Sequence, residues 1–225
     1  MNVALLTAAG SGTRMGQDVP KQFMNIDDCP VIVYTMMPFQ QHPDIDVIAV
    51  VCLKGWETFL RAYAAQFGIT KLKYIFPGGE SNQDSIHNGL VGLKENGIND
   101  EDIVLIQDGV RPLVSPEIIS NNITTCRQYG YAVTGLLCKE VILRYNTPCD
   151  TVEYLPIPRE QLVRTQTPHT FKLGILLDIH RQAAEQGLNM AASCELAARL
   201  GIDNQHLVLG TEKNGLKLTN TEDIE

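Results

Sequence analysis

Short apolar runs alternate with longer amphipathic segments along most of the chain. The apolar runs predict strands at residues 3–6, 47–53, 72–76, 103–107 and 132–137, with a weaker one at 206–209. Apolar positions at helical spacing lie between them and predict helices at 31–40, 56–67, 81–96, 116–129, 175–186 and 194–200. This alternation predicts an α/β fold in which helices cover both faces of a mainly parallel sheet.

One segment interrupts the alternation and predicts a β-hairpin. Residues 141–145 and 151–155 have the pattern of two strands, and the turn at 146–150 joins them. A hairpin of this length has little core of its own and is marginal alone. We therefore expect a single domain over residues 1–225, with a hairpin arm at about 139–160 that packs on a second subunit.

The first predicted strand leads into a glycine-rich loop. Glycines lack a Cβ, so the backbone N–H groups of such a loop approach an anion closely. Arg14 in the loop and Lys21 beyond it add the fixed positive charges that a polyphosphate needs. A turn that holds no ligand is the alternative, but we expect a nucleoside triphosphate to bind here. The loop comprises Ala8, Ala9, Gly10, Ser11, Gly12 and Thr13.

This loop differs from three common phosphate-binding motifs. The dinucleotide-binding fingerprint has the spacing G-x-G-x-x-G and an acid near the end of the second strand. Here Gly10, Gly12 and Gly16 leave a longer last gap, and Lys54 follows the second predicted strand. The Gly-Lys-Ser/Thr of a P-loop is absent, and the spacing of the kinase glycine loop does not match.

Composition and charge narrow the class of protein. The net charge of −8 argues against nucleic acid or an anionic membrane as the main partner. The sequence has no apolar run of transmembrane length and no basic, apolar leader, so we expect a cytoplasmic protein. The six cysteines are scattered without a C-x-x-C, and the histidines form no metal-binding pair. We therefore expect reduced thiols and no metal site built from protein side chains alone.

Three features near predicted strand ends or in the C-terminal region are candidates for substrate binding. Asp108 and Arg111 follow the strand at 103–107, where they could orient a substrate or merely form a turn salt bridge. Thr167 precedes Pro168, an arrangement that suits polyol recognition but equally suits a turn cap. Lys217 has apolar neighbours and could be a third phosphate ligand or a solvated lysine.

Five motifs occur in an order that resembles one enzyme family over essentially the whole chain. They are G-S-G-T-R-M-G with P-K-Q-F, P-G-G-E-S-x-x-D-S-I, Q-D-G-V-R-P, Q-T-P-H-T-F and G-L-K-L-T-x-x-E-D. This series resembles that of the 2-C-methyl-D-erythritol 4-phosphate cytidylyltransferases and of the related ribitol-5-phosphate cytidylyltransferases. The resemblance implies a Rossmann-like nucleotidyltransferase fold and a homodimer whose hairpin arm reaches the neighbouring site. It also implies that CTP and a polyol phosphate react, with Mg²⁺, to a CDP-polyol and pyrophosphate.

The resemblance also implies roles for individual residues. Arg14, Lys21 and Lys217 would be catalytic, because they would grip the triphosphate and stabilise charge at the α-phosphorus. The cytosine and ribose would be held near Gly78, Gly79 and Ser85. Asp108 and Arg111 would line the join between nucleotide and acceptor, so that Asp108 belongs to both binding sets. Thr167 and, from the other subunit, Arg159 would also contact the acceptor. Mg²⁺ would be carried mainly by the CTP phosphates.

Several positions depart from the pattern of the family it resembles. Glu140-Val141 stand where the family usually has Asp-Thr, and Ala191-Ala192 where it usually has Thr-Asp. Asn82 and His169 replace a usual arginine and glutamine. The acceptor therefore stays open, with 2-C-methyl-D-erythritol 4-phosphate (isoprenoid precursor synthesis) as the first expectation and ribitol 5-phosphate (cell-surface polymers) as the second. A non-catalytic CTP-binding paralogue is the further alternative.

Overall fold

The computed structural model describes residues 1–10, 19–218 and 223. The predicted nucleotide ligands Ser11, Gly12, Thr13 and Arg14 lie outside the described residues. The strands are β1 (Asn2–Ala8), β2 (Asn25–Ile26), β3 (Cys29–Pro30), β4 (Val47–Cys52), β5 (Leu72–Pro77), β6 (Ile103–Asp108), β7 (Tyr131–Leu137), β8 (Leu143–Asn146), β9 (Thr151–Tyr154), β10 (Val163–Lys172) and β11 (Leu207–Leu209). The helices are α1 (Val31–Gln41), α2 (Glu57–Gln66), α3 (Asn82–Glu95), α4 (Pro116–Tyr129), α5 (Leu173–Gln186), α6 (Ser193–Arg199) and α7 (Glu212–Gly215).

Within the described residues, seven strands form one sheet in the order β11-β7-β10-β6-β1-β4-β5. The pairs β1–β4, β1–β6, β4–β5 and β7–β11 are parallel, whereas β10 runs antiparallel to both β6 and β7. The predicted α/β fold with a mainly parallel sheet is confirmed, and each strand and helix that the apolar pattern predicts is present. Parallel strands carry their following loops to one edge of the sheet, so the segments after β1, β5 and β6 converge there.

The core lies on both faces of the sheet, as the apolar runs predict. On one face, Leu6 of β1 packs in a cluster with Met36 of α1. On the other face, Leu5 of β1 packs with Leu90 of α3 and Leu176 of α5. Because neighbouring residues of β1 are buried on opposite faces, the strand is a continuous apolar run, which is typical of parallel sheets. Each fully buried leucine stabilises the fold by about 1.5–3 kcal/mol.

Strand β10 is the longest described element that the apolar pattern did not predict; the short β2, β3 and α7 were not predicted either. It contains four buried polar residues and a cis peptide bond between Thr167 and Pro168. A buried chain of hydrogen bonds satisfies part of this strand: Thr170 Oγ1 donates to Asn122 Oδ1, Asn122 Nδ2 to Thr134 Oγ1, and Thr134 Oγ1 to the carbonyl of Pro168. Polar residues and a proline give this segment the sequence pattern of a loop. Their burial is nevertheless stable, because hydrogen bonds satisfy the polar groups. The turn-cap interpretation of Thr167 is wrong, since Thr167 lies within this strand.

The predicted hairpin is present as β8 and β9, which pair antiparallel over four residue pairs. Its two strands form a sheet of their own, separate from the main sheet. Apolar and aromatic side chains on the hairpin are largely exposed, including Val141 at 77%, Val152 at 63% and Tyr154 at 79%. None of the described helices combines the length and the apolar character that crossing a bilayer requires.

Candidate active site

Two adjoining cavities of about 460 and 450 Å³ open at the carboxyl ends of β1 and β6. We call the first the glycine cavity; its lining includes Ala8, Ala9, Gly10, Lys21, Gly79 and Ser85. We call the second the threonine cavity; its lining includes Arg111, Thr165, Thr167, His169, Ala191 and Ala192. Both cavities share four lining residues, which are Thr7, Asn82, Asp108 and Lys217. A molecule with two parts could therefore occupy both cavities at once.

The glycine cavity owes its shape to the loop between β5 and α3. The N–H of Gly79 donates to Ser85 Oγ at 3.0 Å, which folds the loop onto the first turn of α3. A Cβ on Gly79 would lie 2.8 Å from the Asp84 carbonyl carbon, and one on Gly78 would lie 2.5 Å from the Ala9 Cβ. Only glycine fits at both positions, so this loop approaches the first loop closely and leaves its backbone groups accessible to a ligand.

Gln22 fixes the start of the first loop, and the sequence motifs did not single it out. Its Nε2 donates to the carbonyls of Ala8 and Gly10, both at 2.9 Å, and the side chain is buried. The short 3-10 turn Lys21–Phe23 carries it, and Phe23 stacks on Trp56 at a ring-centroid distance of 4.6 Å. This anchored turn places Lys21 at the glycine cavity. An amide that follows a cationic residue in a P-K-Q-F string is the only signal that the sequence offers.

Asp108 joins the two cavities through two ion pairs. Its Oδ2 lies 2.9 Å from Arg111 Nε and 2.9 Å from Lys217 Nζ. Burial alone would raise the pKa of the Asp108 carboxyl, but the Lys217 ammonium and the Arg111 guanidinium outweigh burial and lower this pKa below its usual value. Asp108 is therefore ionised at neutral pH, and two cations around one carboxylate leave a net positive charge that attracts phosphate.

Asp108 and Arg111 thus form the salt bridge that the alternative interpretation predicts, but they also interact with a third residue. The side chain of Asp108 is only 18% exposed and that of Arg111 13%, and Lys217 joins them from about 100 residues further along the chain. Arg111 Nη1 also donates to the carbonyl of Gly215, which ties the segment before Lys217 to the site. The Asp108–Arg111 pair and Lys217, which are separate candidates in the sequence, therefore form one cluster at the boundary between the cavities.

Strand β10 contributes four residues to the lining of the threonine cavity, namely Thr165, Gln166, Thr167 and His169. Thr167 Oγ1 accepts a hydrogen bond from the backbone N–H of Asp108 at 3.2 Å, so its own hydroxyl proton stays available to a ligand. His169 is buried, and burial lowers its pKa to about 4, so the imidazole is neutral at pH 7. Its Nε2 lies 3.5 Å from Cys194 Sγ. Hydroxyl groups and a neutral imidazole make the β10 side of this cavity polar but uncharged, whereas the charged cluster around Asp108 lies where the two cavities meet.

The remaining predicted site residue, Arg159, lies away from both cavities of its own chain. It stands in a 3-10 turn at the base of the hairpin, where its Nε pairs with Glu160 and its Nη1 donates to the carbonyl of Lys139. About half of its side chain is exposed, at 50%. The chain's own fold therefore does not bring Arg159 to the cluster around Asp108.

The donor groups of the described site suit Mg²⁺ that substrate phosphates also bind. Among the described residues, no three His, Cys, Asp or Glu side chains gather where they could hold a metal ion. Magnesium commonly binds through one or two carboxylates together with substrate phosphates, and Asp108 is a carboxylate placed for this. Glu80 also lines the glycine cavity. The donor set is thus compatible with a phosphate-bound ion.

Comparison with known proteins places these cavities in context. A family model described as IspD, 2-C-methyl-D-erythritol 4-phosphate cytidylyltransferase, matches residues 2–225. A ribitol-5-phosphate cytidylyltransferase of Lacticaseibacillus paracasei is 38% identical, with 100% of this chain and 95% of the relative covered. A 2-C-methyl-D-erythritol 4-phosphate cytidylyltransferase of Clostridium botulinum is 32% identical, with 99% of this chain and 94% of the relative covered.

Solved structures share the fold. The crystal structure of a 4-diphosphocytidyl-2C-methyl-D-erythritol synthase from Anaerococcus prevotii superposes with a TM-score of 0.82. It covers 99% of this chain and 92% of its own, at 22% sequence identity. Likeness at this level of identity establishes the architecture, namely a nucleotidyltransferase fold with a mainly parallel sheet.

Proposed function

From the premise that the chain belongs to the 2-C-methyl-D-erythritol 4-phosphate cytidylyltransferase family, and is therefore a CTP-dependent nucleotidyltransferase, we propose that it transfers CMP from CTP to ribitol 5-phosphate. The products are CDP-ribitol and pyrophosphate. The observation that carries this proposal is the cluster of Asp108, Arg111 and Lys217 where the two cavities meet. Such a cluster suits a reaction in which two phosphorylated substrates join end to end.

The choice of acceptor rests on the relatives and on the threonine cavity. Sequence motifs alone favour 2-C-methyl-D-erythritol 4-phosphate, but the ribitol-5-phosphate relative is 38% identical and the methylerythritol relative 32%. Hydroxyls run along the whole carbon chain of ribitol 5-phosphate, whereas methylerythritol carries an apolar methyl branch. The hydroxyls of Thr165 and Thr167 line this cavity and favour the first, because the buried hydroxyl of Thr167 gains most from a hydrogen-bonding partner.

The reaction is an in-line displacement at the α-phosphorus of CTP. A phosphate oxygen of the acceptor forms the new bond to this phosphorus, the bond to the β-phosphate oxygen breaks, and pyrophosphate leaves. No covalent enzyme intermediate is needed, since the acceptor supplies the nucleophile. In our proposal Lys21 and Arg14 hold the triphosphate, Lys217 stabilises charge at the α-phosphorus, and Arg111 holds the acceptor phosphate. When bound to the triphosphate, Mg²⁺ supplies neutralisation of the charge on the leaving group.

Pyrophosphate release tests the proposal. The protein is mixed with CTP, Mg²⁺ and, in separate reactions, ribitol 5-phosphate, methylerythritol 4-phosphate and glycerol phosphate. We expect turnover with ribitol 5-phosphate at the highest kcat/KM, and about a hundredfold loss in Lys21→Ala, because one cation at the phosphates is worth about 3 kcal/mol. Lys94→Ala, which removes an exposed lysine paired with Asp100, is the matched control and keeps full activity.

Two results would contradict this assignment. Higher kcat/KM with methylerythritol 4-phosphate would identify the chain as the isoprenoid-pathway enzyme. CTP binding without pyrophosphate release for any acceptor would favour the non-catalytic paralogue.

We further propose that the chain forms a homodimer through the hairpin of β8 and β9. The exposed side chains of Val152 and Tyr154 support this, because a two-stranded hairpin with uncovered apolar residues is marginal in water. The position of Arg159 supports it as well, since a guanidinium at the base of the arm could reach the partner's threonine cavity. There it would add a second guanidinium to the acceptor phosphate, beside Arg111 of the receiving site.

Mixing two inactive variants tests this arrangement. Arg159→Ala and Lys21→Ala are each expected to lose most activity, but a mixed dimer contains one site with both residues intact. We therefore expect activity to reappear on mixing and unfolding–refolding the two variants together. If Arg159 acts only on its own chain, the mixture stays inactive, and if the protein is a monomer by sedimentation, the proposed dimer is wrong.

A further inference from the structure

A short segment between α5 and α6 forms one wall of the threonine cavity. Residues 188–192 follow Gly187, which ends α5 in the left-handed conformation, and lead to Ser193, where α6 begins. Ala191 and Ala192 line the cavity. Because these side chains are single methyl groups, the position of the backbone itself defines this wall.

Two amide side chains from the first turn of α3 hold this segment. Gln83 Nε2 donates to the carbonyl of Leu188 at 2.8 Å, and Gln83 Oε1 accepts from the N–H of Met190 at 2.8 Å. Asn82 Nδ2 donates to the carbonyl of Ala191 at 3.1 Å. Within the part of the chain that the structure describes, Asn82 and Gln83 make every hydrogen bond to the backbone of residues 189–191.

The layer beneath the segment gives it little other polar support. Ala192 precedes α6 without a side-chain cap. Ser193 Oγ and His180 Nε2 are buried and form no hydrogen bond to the described residues. By contrast, the turn that carries Gln83 is rigid: Ser81 and Asp84 form a reciprocal capping box, with both hydrogen bonds at 3.0 Å. The wall therefore takes its position from α3.

We propose that Gln83 is a positioning residue for the acceptor: its amide fixes segment 188–192 and thereby sets which polyol phosphate the threonine cavity accepts. This inference rests on the proposed function, because it assigns the acceptor to that cavity. Gln83 lines neither of the two cavities, so it acts through the backbone that it holds. Its loss moves the wall and leaves the glycine cavity intact.

The chain offers a matched control for this side chain. Gln40 is another half-buried glutamine with one accepted and one donated hydrogen bond, since its Oε1 accepts from the N–H of Lys71 at 2.8 Å and its Nε2 donates to Thr70 Oγ1 at 3.0 Å. It lines neither cavity. Gln40→Leu and Gln83→Leu thus each remove one donated and one accepted hydrogen bond, at different places. Gln83→Glu keeps the acceptor for the Met190 N–H and loses only the donor to Leu188.

Kinetics and amide exchange together test the proposal. For Gln83→Leu we expect KM for ribitol 5-phosphate to rise about tenfold and KM for CTP to change less than about twofold. We also expect the preference over glycerol phosphate to narrow, Gln83→Glu to be intermediate, and Gln40→Leu to match the unmodified protein in both KM values. Hydrogen exchange of a peptide spanning residues 188–193, measured in the free protein, should quicken in Gln83→Leu and not in Gln40→Leu.

The outcomes separate this inference from the proposed function. Failure of the unmodified protein to turn over any polyol phosphate would contradict the function, whereas exchange would still show whether Gln83 holds the segment. Unchanged exchange at residues 188–193, or equal rises in KM for acceptor and CTP, would overturn the positioning role. Similar KM changes in Gln40→Leu would show that the effect of Gln83→Leu comes from a general loss of stability, which would overturn the positioning role.

Discussion

The glycine cavity takes much of its lining from two short continuous stretches of chain, whereas the threonine cavity is assembled from distant ones. Strand β1 with its loop, and β5 with the first turn of α3, place Gly10 and Gly79 directly. The threonine cavity instead needs β10, segment 188–192 and the first turn of α3 to meet. When distant residues change, a cavity built from local turns keeps its shape and its ligand. A cavity assembled from distant segments changes its shape. The same fold can therefore keep its nucleotide and alter its acceptor.

Lowering the pH should have the largest effect of the changes considered, because the two buried histidines lie on the side of the threonine cavity. Burial lowers the pKa of His169 and of His180 from 6.5 to about 4, and His87 also lowers that of His180. No described lining residue of the glycine cavity is a histidine. The unfolded chain takes up protons at both positions below pH 6.5, which the folded chain resists, so the free energy of unfolding falls as pH falls. Between pH 7 and pH 5 we expect a loss of about 2 kcal/mol for each histidine.

Urea unfolding at several pH values measures this loss, and His169→Gln is the comparison. The variant lacks one titrating group, so the difference in unfolding free energy between it and the unmodified protein should shift by about 2 kcal/mol between pH 7 and pH 5. Parallel curves for the two proteins would show that His169 does not resist protonation.

Removing the negative charge of Asp108, where the two cavities meet, should lower activity toward both substrates. Asp108→Asn keeps the volume of the side chain but no longer pairs with Arg111 and Lys217. We expect kcat/KM for CTP and for the acceptor to fall about a hundredfold each, equivalent to about 3 kcal/mol of barrier. Asp178→Asn is the control, because Asp178 lines neither cavity and pairs with Arg181 and Gln182 of its own helix α5. A loss confined to one substrate would mean that Asp108 does not join the cavities.

A methyl group in the glycine loop should affect the nucleotide side alone. In Gly79→Ala the new Cβ would lie 2.8 Å from the carbonyl carbon of Asp84 and 3.0 Å from the N atom of Ser85, so the loop must shift. We expect KM for CTP to rise about tenfold while KM for the acceptor stays unchanged. Steady-state kinetics with each substrate varied in turn will show it. Equal changes in both KM values would indicate that the cavities are not independent.

Loss of one hydroxyl should affect the acceptor side alone and by the smallest amount. Thr167→Val removes the oxygen that accepts from the N–H of Asp108 and the proton that it offers to a ligand. We expect KM for the acceptor to rise about fivefold, near 1 kcal/mol, with KM for CTP unchanged. Thr167→Ser retains the hydroxyl and should restore most of the affinity. If Ser and Val behave alike, the hydroxyl makes no contact with the acceptor.

The difference between the cavities also explains what the sequence could predict. The position of Asp108 could be predicted because an acid that directly follows an apolar strand is visible in a few consecutive residues, whereas the ligand roles of Gly79 and Ser85 were implied by the family resemblance. Strand β10 was missed because its buried threonines and Pro168 have loop-like polarity, and only partners such as Asn122 satisfy them. The amide of Gln83 was missed because its backbone partners lie more than 100 residues away along the chain. No periodicity encodes such contacts.

The measurement that tests the central claim most directly is phosphorus NMR of a single reaction. The unmodified protein is mixed with CTP, Mg²⁺ and ribitol 5-phosphate, and the phosphorus signals are followed over time. If donor and acceptor meet at Asp108 as proposed, inorganic pyrophosphate and the diphosphate signals of CDP-ribitol appear in equal amounts. Release of CMP and pyrophosphate without a CDP-ribitol signal, or no change in the spectrum, would contradict the account.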